Sequence, residues 1–130
     1  MKINIETIPH DQHRYETVGD YWIDEHDVIQ MRVSDMKNSD YEFLVILHEL
    51  IEMQLCKNAG ISFKIIDNFD KDYEQLRKDG DYSEPGDAPN SPYKKQHLIA
   101  TGVEKIVCAE LGVDWQTYDK TVTELWKATN

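Results

Sequence analysis

The stretch FLVILHELIEMQL, Phe43 to Leu55, is apolar at nine of its thirteen positions, which makes it too greasy to lie on a surface. Ser39 followed by Glu42 forms a capping box ahead of it, and Gly60 stands where a helix would stop. The apolar residues cover nearly every side of that helix, so it is expected at the centre of the fold rather than on its periphery. Within it lies HELIE, His48 to Glu52, which sets three ionisable side chains among apolar neighbours. Burying a charge without a partner is costly. His48 and Glu52, four residues apart, share a helix face and can meet one ligand, and a metal ion suits both. Glu49 points beside the pair, where it could act on a water held by that ion.

Upstream of this helix the chain reads as strands. Lys2 to Ile8 alternates apolar and polar residues, while Tyr15 to Ile23 and Val28 to Val33 are rich in β-branched and aromatic residues around a polar DEHD turn. Downstream it reads as helices. Asp67 or Asn68 can cap a helix carrying Phe69, Tyr73 and Leu76 that ends at Gly80. A proline-rich loop, DYSEPGDAPNSP, separates it from a helix opened by Ser91 and Pro92 and stopped by Gly112. A last amphipathic helix starts at Asp114. The expectation is therefore an α+β fold of one domain, residues 1–130. It has a small N-terminal antiparallel sheet in a β-rich part (1–37) and a bundle of three to four helices in a helical part (38–130).

Composition narrows the function. A formal net charge of −11 disfavours DNA and RNA, which need clustered Lys and Arg, and leaves cations and basic or neutral substrates as the natural partners. Acidity also serves solubility and specifies no function by itself. The two cysteines, Cys56 and Cys108, form no CxxC framework, which suits a reducing, cytoplasmic setting. No window approaches eighteen apolar residues and the N-terminus lacks an apolar leader core, so neither export nor a membrane span is expected.

The helix opened by Ser91 adds a second polar pair to an inward face, His97 and Glu104, seven residues apart. Packed antiparallel, the two helices could bring His48, Glu52, His97 and Glu104 together as metal ligands, with Glu104 either the fourth ligand or the orienter of an imidazole. Zinc is the first choice, iron and manganese the alternatives, and Glu49 is the general base. The blander possibility is that each histidine is a hydrogen-bonded core residue with a glutamate as acceptor. Cys56, one turn beyond Glu52, reads as a small buried hydrophobe. Asp79, Asp81 and Ser83 imitate the start of a calcium loop, but Glu84 and Asn90 occupy positions that need glycine and glutamate. Neither a glycine-rich phosphate loop nor a GxSxG elbow is present.

The segment VILHELIEMQL resembles the active-site helix of the zincin-type metallopeptidases, whose motif is HExxH on a helix after a small sheet. The resemblance implies that His48 is a zinc ligand and Glu49 the activator of water, with a third ligand drawn from a later helix, a role open to Glu104 or His97. Glu52 departs from the pattern by replacing the second histidine, and a carboxylate can still ligate zinc. The whole chain, including PGDAPNSPY and LGVDW, is also similar to small phage and bacterial proteins. The leading expectation is a metal-dependent, zincin-like hydrolase acting on a small-molecule or peptide substrate. The alternatives are a non-catalytic binding or structural protein with a buried His/Glu network, and a di-metal carboxylate protein bridged by Glu49, Glu52 and Glu104.

Overall fold

The most buried strand organises the sheet. In the computed structural model, which describes residues 1–129 and side chains as far as Trp126, three strands form: β1 (Ile3–Ile8), β2 (Gly19–Ile23) and β3 (Ile29–Ser34). Ile29, Met31 and Val33 of β3 face the core at 0–3 % exposure, whereas four of the six β1 residues are exposed. The strand with the most apolar surface to hide takes the centre, and the order is β1-β3-β2.

The sheet is mixed rather than wholly antiparallel. β2 and β3 form the antiparallel hairpin expected of them, closed by the DEHD turn in which Asp24 Oδ1 accepts from the His26 and Val28 amides. β1 instead pairs parallel to β3, with Ile3 opposite Ile29 and Ile8 opposite Ser34. Alternation of side chains reports burial but not strand direction. Here the segment 9–18 carries the chain from one edge of the sheet to the other, the longer connection that a parallel pair needs.

Four α-helices follow: α1 (Ser39–Asn58), α2 (Phe63–Gln75), α3 (Lys94–Glu110) and α4 (Trp115–Thr129). The α1 cap lies one residue earlier than the capping box suggests. Asn38 Oδ1 accepts from the Tyr41 amide at 3.1 Å, and Glu42 reaches back to the Met36 amide at 2.7 Å. Gly60, at φ 76°, supplies the left-handed conformation just beyond the end of the helix. α2 begins earlier than expected because Ser62, not Asp67 or Asn68, caps it, accepting from the Ile65 amide. Asp67 is instead drawn into an ion pair with Arg14, which also grips the buried Asp20 of β2 through two nitrogens at 2.8 and 2.9 Å.

The core has two apolar clusters, and α1 runs through both. Leu44 and Val45 join Val18, Val33, Cys108, Tyr118 and Trp126 at one end, while Met53 and Cys56 join Tyr21, Ile29, Met31, Ile66 and Tyr93 at the other. His48 and Glu52 occupy the turn between them. Both cysteines are buried free thiols. Among the described residues no helix is long and apolar enough to cross a membrane.

Candidate metal centre

The packing of α1 against α3 builds the site. His48 of α1 meets Glu104 of α3, and Glu52 of α1 meets His97 of α3, a register in which one helix ascends as the other descends. Small residues permit the approach: Ala100 is fully buried on α3, between the two polar positions. His48, Glu52, His97 and Glu104 are each buried, at 4–8 % exposure.

Three atoms converge. His48 Nε2 lies 3.2 Å from Glu52 Oε2, His97 Nδ1 lies 3.0 Å from the same oxygen, and the two nitrogens are 3.2 Å apart. Ligands at about 2.0–2.2 Å from a tetrahedral ion stand about 3.4 Å from one another, so this triangle needs to spread by only a few tenths of an ångström to admit one. These buried His and Glu groups can hold a divalent metal ion. Glu104 reaches the opposite side of the His48 ring, with Oε1 2.8 Å from Nδ1 and Oε2 accepting from the Tyr118 hydroxyl at 2.5 Å. That arrangement places the proton on Nδ1 and leaves Nε2 facing the triangle, as carboxylates behind metal-binding histidines do. Tyr21 of β2 secures the other carboxylate by donating to Glu52 Oε1 at 2.8 Å.

The electrostatics follow from burial and pairing. Burial alone pushes the His48 pKa down, but the hydrogen bonds to Glu104 and Glu52 outweigh it and hold the imidazole well above its ordinary value. His97 is likewise lowered by burial and raised more strongly by Glu52 and Glu84, to about 10. Glu52, despite burial, is held at about 2 by the two imidazoles. Glu49 goes the other way. Its desolvation and the neighbouring Glu52 charge raise its pKa well above the carboxylate range. A Cβ on Gly19 would stand 2.8 Å from the Glu49 side chain, so the bare β2 backbone forms the wall behind it.

Two acidic residues join the site that the sequence did not mark as ligands, Glu84 having stood out only as a residue that breaks a calcium-loop pattern. Glu84 precedes and Asp87 ends a short 3-10 turn, Pro85–Asp87, and they come within 2.9 and 3.3 Å of His97 Nε2. Gly86 between them packs on the imidazole itself, where a Cβ would be 2.4 Å from His97 Cγ. The EPGD tetrapeptide carries a signal in retrospect: proline fixes the turn and glycine permits close approach, a combination that aims flanking side chains. Tyr21 and Tyr118 had no such signal, since a core tyrosine looks the same whether or not its hydroxyl has work to do.

These residues line one pocket of about 460 Å³ that also admits Tyr15, Asp70 and Tyr93. Asp70 accepts from the Tyr15 hydroxyl at 3.1 Å and from the Tyr93 hydroxyl. Of the five residues expected at the site, His48, Glu52 and His97 converge, Glu49 lies in the same pocket, and Glu104 sits behind His48. No family model, curated protein or solved structure matches the chain.

Proposed function

We propose that the chain is a metal-dependent hydrolase in which His48, Glu52 and His97 hold one divalent ion, zinc being the first choice. The observation that carries this reading is the 3.0–3.2 Å triangle of Nε2, Oε2 and Nδ1 atoms, with the His48 tautomer set from behind by Glu104. Two histidines and one glutamate form a ligand set used by zinc hydrolases, which keep the fourth position open. A divalent ion there supplies Lewis acidity and a water of lowered pKa. Glu49 takes the proton from the attacking water and returns it to the leaving group. Its placement against Gly19 beside the triangle suits that role, and its raised pKa falls beside a cation held there, so that Glu49 can accept the proton. The pocket has room for a ligand of a few residues. Its acidic lining favours an amide or similar substrate that is neutral or basic.

The decisive experiment pairs metal analysis with hydrolysis of a panel of amide substrates. Glu49→Gln is expected to abolish turnover, by about 10²-fold or more, with zinc content unchanged. Protein that carries no stoichiometric divalent metal after zinc reconstitution sinks the proposal. Loss of metal in Glu49→Gln reassigns Glu49 as a ligand. A second reading, a purely structural network, is favoured by the way Tyr21 and Tyr118 already satisfy Glu52 and Glu104. Zinc binding with no turnover on any substrate would support it.

A further inference from the structure

His97 presents both ring nitrogens to carboxylates, on opposite faces of the site. Nδ1 joins the triangle with His48 and Glu52. Nε2 is buried and ion-pairs with Glu84 Oε2 at 2.9 Å and Asp87 Oδ1 at 3.3 Å, but neither contact has the alignment of a well-formed N–H hydrogen bond. The side chain is only 6 % exposed, so water gives the nitrogen little relief. A buried ring nitrogen aimed between two carboxylates, and poorly aligned with both, is an arrangement that a cation completes.

We infer that Glu84, Asp87 and His97 Nε2 form a second divalent-cation site, so that His97 bridges two ions across its ring. The bridge rests on the first site proposed above. Three features carry the second one. The donor atoms of Glu84, Asp87 and His97 form a mutually close set of their own. Gly86 locks the imidazole by backbone contact that no other residue could make, so the ring is held with Nε2 facing the turn. Charge supplies the third. Ten carboxylates, Glu49, Glu52, Glu84, Asp87 and Glu104 among them, line one pocket, whereas Lys105 is its sole Lys or Arg among the described residues, with its ammonium placed over the Trp115 ring. Each divalent ion bound there offsets two of the negative charges that remain.

Two oxygens and one nitrogen suit zinc or manganese. Glu84 and Asp87 are 41 % and 52 % exposed, against 6–10 % for the ligands of the first site, so the second ion sits at the rim of the pocket and exchanges more readily. Because the ions lie on either side of an imidazole, they are farther apart than the about 3.5–4 Å of two-metal sites that share a water. A ring that bridges two cations would do so as imidazolate, both protons of the His97 imidazolium passing to solvent.

The test is zinc stoichiometry by native mass spectrometry, with titration calorimetry, on the full chain and two double variants. Wild type is expected to bind two ions, the second at least tenfold more weakly. Glu84→Gln with Asp87→Asn is expected to bind one, and His48→Gln with Glu52→Gln also one. A wild type that binds a single ion unaffected by the Glu84/Asp87 pair overturns the second site and leaves the first standing. Two ions retained in the Glu84/Asp87 variant overturn it as well. A single ion lost only with Glu84 and Asp87 overturns the bridge and the first site together, and no ion in wild type overturns both. Circular dichroism of each variant, matched to wild type, establishes that lost binding is not lost folding.

Discussion

At the scale of single residues, Asp70 offers the clearest measurement. Burial pushes its carboxyl up to about 7, with the Tyr93 and Tyr15 hydrogen bonds opposing and the nearby Glu52 charge adding to the rise. The folded state therefore holds a proton that the unfolded chain releases near 3.8. The native state binds more protons between those values, so this group's contribution to stability is full below about 3.8 and is lost as pH rises towards 7. The interval of about three units corresponds to about 4 kcal/mol. Asp70→Asn keeps a partner for both tyrosine hydroxyls and removes the titration. Denaturant unfolding at several pH values should show the variant gaining on wild type between pH 4 and 8, by up to that amount. A difference that is flat across the range rejects the role of burial at this position.

At the scale of elements, the EPGD turn and the start of α3 act as one unit. The turn is anchored by the Asp87 and Ala88 amides, which donate to Glu84 and Pro85 carbonyls, and by Lys94 Nζ on the Asp87 carbonyl at 2.8 Å. Its consequence for the site is steric, since Gly86 lies where any Cβ would collide with the His97 ring. Gly86→Ala should cost about 1–3 kcal/mol of stability by overpacking and lower zinc affinity by about tenfold or more through the displaced ring. Thermal unfolding of the metal-free protein and competition with a chelating dye measure the two effects separately. Unchanged zinc affinity would show that the turn does not position His97.

At the scale of the whole molecule, the site joins the two halves of the core. α1 contributes Leu44 and Val45 to one cluster and Met53 and Cys56 to the other, and the polar network fills the turn between them. A ligand that ties α1 to α3 at this point stabilises the entire fold by mass action. Zinc at 100 times its Kd adds about 2.7 kcal/mol, which for a chain of this length raises Tm by about 10 °C. Chelator-treated protein should therefore melt lower, and zinc should restore the difference. The absence of any zinc-dependent shift in Tm counts against binding to the native state.

The sequence by itself determined that α1 would be central, because nine apolar residues in thirteen leave no polar face for water. It also determined that His48 and Glu52 would share a helix face, since four residues make about one turn. The α+β order was legible for the same reason: the switch from a period of two to a helical pattern near Asn38 is a local property of the chain. Strand direction was not local, and only the path of residues 9–18 decided that β1 would run parallel to β3. The register of α1 on α3 likewise chose which side of His48 receives Glu104, making it the partner of Nδ1 rather than a member of the Nε2 triangle. Glu84 and Asp87 gain their meaning only once the turn folds back on His97, for contacts between distant segments depend on how helices and loops pack and leave no period in the sequence.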